Sequence, residues 1–150
     1  MKTALKLVAD TMDKNKGGPF GAVIVKNNQI VGKGVNCVTS SNDPTAHAEI
    51  QAIRDAAKNL KTFDLSGCEI YITCEPCPMC LFAIYWARIQ KIYYAATRDD
   101  AAAIGFDDAK FYEEIDHEIH RRKFQMNNEM REEAVKLFQR WHEKPDKVMY

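Results

Sequence analysis

The stretch from Cys68 to Ala96 constrains the fold most. "CEIYIT" (68–73) and "KIYYAA" (91–96) are short runs rich in β-branched and aromatic residues, the composition of strands. Between them, Pro78 opens a segment that reads as a helix, because proline suits a first helical turn and no later one. Two strands joined through a helix over so short a distance lie parallel, with a right-handed crossover. Such a unit needs helices packed on its sheet and predicts a layered α/β domain.

The rest of the chain agrees. Leu5, Val8, Ala9 and Met12 recur at helical spacing, and "NKGGPFG" breaks that helix. "GAVIVKNNQIVGKGV" reads as two strands around Asn27-Asn28, a pair that tolerates the positive φ of a hairpin turn. After the polar loop "TSSNDP", Asp43 is the expected N-cap and Pro44 the first residue of a helix to about Asn59, with Ala46, Ile50, Ile53 and Ala57 on its apolar stripe. Met130, Ala134, Leu137, Phe138 and Trp141 mark a C-terminal helix. Residues 97–128 stay open: "FYEEIDHEIHRRKF" fits a helix, or a helix and then a strand.

With 150 residues and no repeats, one domain is expected. Lys plus Arg (21) equals Asp plus Glu (21), so the chain lacks the basic excess of a nucleic-acid binder. No apolar run approaches the ~18 residues of a membrane span, and the N-terminus lacks the pattern of a secretory signal. Five cysteines without a disulfide framework point to a cytoplasmic protein with reduced thiols.

Cys74, Cys77 and Cys80 follow one another three residues apart. An iron–sulfur run of this kind needs a fourth cysteine, but position 84 is Ile and no cysteine follows Cys80. A dithiol redox pair of the thioredoxin type stands after the first strand, whereas this motif is mid-chain. Zinc explains more. Pro78 makes Cys77 the expected N-cap and Cys80 the third helical residue, so two thiols converge at the positive end of a helix, which favours thiolates. Cys74, on the strand end, is read as a small buried residue outside the shell.

A third ligand must come from elsewhere. His117 and His120 lie among Glu and Arg on a charged face, and His142 ends the last helix. His47 stands among small residues in "DPTAHAEI", with Glu49 two positions on. Residues i and i+2 do not share a helix face. His47 therefore reaches a metal only if the first turn aims it there, with Glu49 reaching round to the open position. A closed shell including Cys74 is the rival, purely structural reading.

"TAHAEI" with "CEPCPMC" resembles the signature of the zinc deaminases, H-x-E followed by P-C-x-x-C. "GGPFGAVIVK", "NDPTAHAE", "CEPCPMCLFAIYWAR" and "GFDD" are similar to bacterial guanine deaminases within the cytidine-deaminase-fold family, from about Gly17 to Tyr112, and the terminal Tyr150 fits that family's end. The resemblance implies a three-layer α/β/α sandwich with a five-stranded mixed sheet. It also implies a homodimer, with a C-terminal segment exchanged between subunits. His47, Cys77 and Cys80 would hold one zinc, and Glu49 would move protons during hydrolytic deamination of a purine base. Asn36 would hydrogen-bond the purine and Asp108 accept from its N–H groups, with Asp107 the alternative. Phe20 would pack on the ring, and Ala48, Trp86 and Tyr150 would line or close the pocket. A tRNA adenosine deaminase carries the same signature and is the nearest rival.

Overall fold

The structure is a computed structural model that describes residues 1–14 and 17–150. Asn15 and Lys16, within the expected helix break "NKGGPFG", lie outside the described residues. The chain forms two compact units, Met1–Ala109 and Lys110–Tyr150.

The first unit opens with helix α1 (Lys2–Met12), followed by strands β1 (Gly21–Lys26) and β2 (Gln29–Val35). Asn27 and Asn28 take φ of 50° and 62°, giving the expected two-residue hairpin. A short helix α2 (Val38–Ser41) and a long helix α3 (Ala48–Leu60) follow. Then come β3 (Glu69–Cys74), α4 (Pro78–Trp86), β4 (Lys91–Ala96) and α5 (Arg98–Ala103). The sheet order is β2-β1-β3-β4. β1 is antiparallel to both neighbours, and β3 and β4 are parallel across α4, as the sequence predicts. The mixed sheet therefore has four strands among the described residues, not the five expected. Residues 97–128, where a further strand was one reading, hold α5, α6 (Ala109–Asp116) and a 3-10 turn (Ile119–Arg121).

Glycines on β2 fix where α3 sits. A Cβ on Gly34 would stand 2.0 Å from the Ala48 carbonyl oxygen and 2.5 Å from Ala52 N, and one on Gly32 would meet Ala52 O at 2.5 Å. Helix backbone thus rests directly on strand backbone. Ala48, Ala52 and Ala56 form the buried stripe, one turn apart. The expected stripe of Ile50, Ile53 and Ala57 is rotated off it: those three are half-buried, and the two isoleucines would be too bulky for so close an approach. Asp55 and Asn59 seal the sheet edge. Lys33 N–H donates to Asp55 Oδ2 at 2.9 Å, and Asn59 Nδ2 donates to the Val31 carbonyl at 2.9 Å.

Ala22 and Ile24 of β1 join α3 in the core, with Ile70, Ile72 and Ile84. Gly21 instead abuts α1, where an added Cβ would lie 2.6 Å from Val8 Cγ2. Neighbouring strand residues face opposite ways, so α1 and α3 cover opposite faces of β1.

The helix expected from Pro44 starts four residues later. Asp43 accepts from Thr45 N–H and hydroxyl at 2.8 and 2.7 Å, closing an Asx turn instead of capping a helix. His47 becomes the N-cap of α3.

In the second unit, α6 is followed by the 3-10 turn and by α7 (Arg131–Glu143), the expected C-terminal helix. Lys123 N–H donates to the Glu114 carboxylate at 3.0 Å, and Arg122 Nε donates to the His117 carbonyl at 3.2 Å. None of these elements contains a buried residue.

Candidate active site

Two helix starts converge at the site. His47 caps α3 with φ −68° and ψ 157°, an extended conformation that removes its side chain from the helix wheel. This resolves the i, i+2 difficulty: Glu49 is helical, His47 is not. Cys77 caps α4 in the same way, Pro78 occupies the first turn, and Cys80 is the third helical residue, as expected. Neither His47 nor Cys77 uses its side chain to cap its own helix.

His47 Nδ1 lies 3.6 Å from Cys77 Sγ and 3.5 Å from Cys80 Sγ. Zinc bonds of about 2.3 Å to sulfur and 2.0 Å to nitrogen, at a tetrahedral angle, place S and N about 3.5 Å apart. The three donors fit zinc in kind and in spacing. Among the described residues no fourth ligand atom joins the group, and Cys74 is outside it. Cys74 is half-buried and donates to the Thr97 carbonyl at 3.4 Å. Burial, with nearby carboxylates, pushes its thiol up to about 11.

The site's electrostatics follow from shared protons. A hydrogen bond from Cys80, joined by His47, holds Cys77 down at about 4 as a thiolate. Donating that bond, and burial, keep Cys80 protonated. The Cys77 contact raises His47. Glu49 is only 8% exposed, and burial pushes its carboxyl above the ordinary range, with Cys80 beside it.

Of the expected substrate residues, Asp108 is within the electrostatic field of Cys77, and Asn36 and Phe20 are held by the contacts that follow. Asn36, also 8% exposed, accepts at Oδ1 from Gly18 N–H (3.4 Å) and Val38 N–H (3.3 Å). Its amide is thereby oriented, and Nδ2 makes no hydrogen bond among the described residues. Phe20 N–H and carbonyl tie it to Gly18 and Asn36. The two candidate aspartates separate: Asp107 accepts from Ala109 N–H at 3.0 Å and starts α6, whereas Asp108 is half-buried, raised first by desolvation and then by the Cys77 charge. Ala48 has its side chain in the core, so only its main chain can face the site. Trp86 is not brought to the group. It ends α4, whose nine residues span about 13 Å, and is 69% exposed. Tyr150 belongs to the second unit and is exposed.

Residues 1–96 match the family described as the cytidine and deoxycytidylate deaminase zinc-binding region. The chain belongs to this zinc deaminase family. Within it, the chain is similar to guanine deaminase from Bacillus subtilis, with 47% identity over 150 residues, covering 100% of this chain and 96% of that one. The crystal structure of Bacillus subtilis guanine deaminase superimposes with a TM-score of 0.95 at 48% identity, over 99% of this chain and 95% of that one. A tRNA-specific adenosine deaminase from Aquifex aeolicus is 44% identical over 96 residues, covering 64% of this chain and 63% of that one. The family's zinc-binding region contains all three converging donors.

Two sets of contacts made by the expected substrate residues had no sequence reading. The Gly18 and Val38 N–H groups that orient Asn36 are main-chain atoms, invisible to residue type. Phe106 meets Phe20 edge to face, ring centroids 4.9 Å apart at 89°. It lies inside the quoted "GFDD", but nothing in its spacing links it to Phe20.

Proposed function

We propose that the chain is a zinc-dependent guanine deaminase, converting guanine and water to xanthine and ammonia in purine catabolism or salvage. The observation that carries this reading is the open group of His47, Cys77 and Cys80 with the buried carboxyl of Glu49 beside it. Guanine as the base is supported by the full-length likeness to the Bacillus subtilis enzyme. The likeness to the tRNA enzyme covers less of the chain, and the balance of 21 basic and 21 acidic residues offers no excess positive charge for tRNA.

His47 Nδ1 and the Cys77 and Cys80 thiolates would hold the metal. When bound, zinc supplies a water acidic enough to serve as a nucleophile near neutral pH. Glu49 would take one proton from the water and pass it to a ring nitrogen as the hydroxyl adds to C2, then carry the remaining hydroxyl proton to the C2 amine, which leaves as ammonia while C2 becomes a carbonyl. Its raised pKa suits a group that must return the proton it takes. Asn36 donates from Nδ2 to an acceptor on the base, Asp108 accepts from a base N–H, and Phe20 packs on the ring. The main chain of Ala48 lines the site, and Tyr150 would close the site of a neighbouring subunit through the exchanged C-terminal segment.

The assembly we propose is a cytoplasmic homodimer of α/β/α subunits that exchange their C-terminal segments. Leu137, Phe138 and Trp141 stand exposed on α7, and exchange would give them a surface to cover.

The test is ammonia release from zinc-loaded protein offered guanine, guanosine, adenine, cytosine, cytidine and tRNA. Release from guanine, with xanthine formed, is the expected result. Release from tRNA alone, or from none of the panel, would overturn the substrate assignment.

A further inference from the structure

The turn after α5 links two walls of the site. N–H groups of Ile104, Gly105 and Phe106 return to the carbonyls of Ala101, Ala102 and Ala101 at 3.1, 3.0 and 3.0 Å. Gly105 takes φ +94°, in the left-handed region, which turns the chain back on itself. Phe106 then sets its ring perpendicular to that of Phe20, which also packs against the buried core. Asp107 locks the far side of the turn through Ala109 N–H. Asp108, next in sequence, is within the electrostatic field of Cys77.

Phe106 is 48% exposed. A phenylalanine so placed leaves about half its surface in water and contributes only part of what a fully buried one would to folding. Its edge-to-face contact constrains the ring of Phe20.

We propose that Phe106 is a positioning residue: acting through Phe20, it sets the tilt of the wall against which the flat base packs, and its turn couples that wall to Asp108. The proposal rests on the guanine deaminase reading, in which Phe20 meets the ring and Asp108 its N–H groups.

The experiment is a double-variant cycle on the zinc-loaded protein. Steady-state guanine deamination is measured for Phe106→Ala, Phe106→Leu, Phe106→Tyr, Phe20→Ala and the double variant Phe20→Ala/Phe106→Ala. An edge-to-face aromatic pair corresponds to about a twofold to tenfold effect. Phe106→Ala should lower kcat/KM by that factor, chiefly through KM, with zinc content unchanged and Tm within a few degrees of wild type. Phe106→Tyr, which keeps the ring, should restore KM, and Phe106→Leu should not. The double variant should lose no more than Phe20→Ala, because the group through which Phe106 acts is already gone. Additive losses, or an unchanged KM in both Phe106→Ala and Phe106→Leu, would overturn the proposal. If Phe106→Ala fails to fold, the Leu and Tyr variants decide the KM comparison. If wild type releases ammonia from another base in the panel, the guanine reading falls, and the same cycle run on that base still decides the role of Phe106.

Discussion

His47 Nδ1 lies 3.5 Å from Cys80 Sγ, although the two residues are 33 positions apart and belong to different helices. Each is placed by a helix start: His47 as the N-cap of α3, Cys80 in the first turn of α4. The glycines of β2 bring α3 against the sheet, and β3 delivers the chain to α4. The site therefore depends on backbone packing as much as on its ligands.

Removing any donor of the group should abolish stable zinc binding. His47→Ala and Cys80→Ser are expected to lower zinc affinity at least about 100-fold, since loss of outer-shell partners alone costs ~10–100-fold. Competition with a chromogenic chelator measures this. Cys74→Ser, outside the group, should retain the metal.

Zinc uptake should release protons. The metal requires thiolates and a neutral imidazole nitrogen. Cys77, held at about 4, is already ionised near pH 7, whereas Cys80 keeps its proton and His47 has a raised pKa. Between about one and two protons should leave per zinc near neutral pH, from Cys80 and in part from His47. Affinity should fall as pH falls, because the metal then competes with a proton on His47 as well. Calorimetric titration in buffers of different ionisation enthalpy counts the protons, and a count of zero would contradict the assignment.

Gly34→Ala should disturb the site from a distance. Its Cβ would meet Ala48 O at 2.0 Å and Ala52 N at 2.5 Å, both backbone atoms. Overpacking of this kind costs about 1–3 kcal/mol. At this chain length that lowers Tm by roughly 2–4 °C per kcal/mol. Turnover should fall as well, because α3 carries His47 and Glu49. An unchanged Tm and rate would show that α3 does not need this approach.

Asn36→Asp separates the two ends of the side chain. The carboxylate can still accept from Gly18 and Val38 N–H, but the Nδ2 donor is lost. Sites built around a substrate hydrogen bond discriminate strongly when it is removed, so kcat/KM for guanine should drop at least about 100-fold with zinc retained. A variant within twofold of wild type would remove Asn36 from base recognition.

Much of this arrangement is legible in the sequence, because Pro78 and the flanking strands fix the second helix start and with it Cys77 and Cys80. The first helix start is less legible. Asp43-Pro44 has the chemistry of a helix N-terminus, but the Asp43 carboxylate is taken by Thr45, so α3 begins at Ala48 and His47 is left extended. The buried stripe is misread for a different reason. Isoleucine outranks alanine in apolarity, yet only alanine fits where Gly32 and Gly34 admit the helix backbone. Trp86 shares a helix with both ligand cysteines, and nothing in its spacing reveals that it ends that helix far from the metal group. The partnership of Phe106 with Phe20 spans distant positions and exists only once the turn at Gly105 is formed.

The most direct test replaces Glu49 with Gln, which keeps shape and hydrogen bonding while removing proton transfer. Zinc content and xanthine formation from guanine are measured on the same preparation. The account predicts one zinc per chain and a rate at least about 100-fold below wild type, the lower end of what general acid–base catalysis contributes. A Glu49→Gln protein that retains zinc and turns over guanine at near the wild-type rate would contradict it.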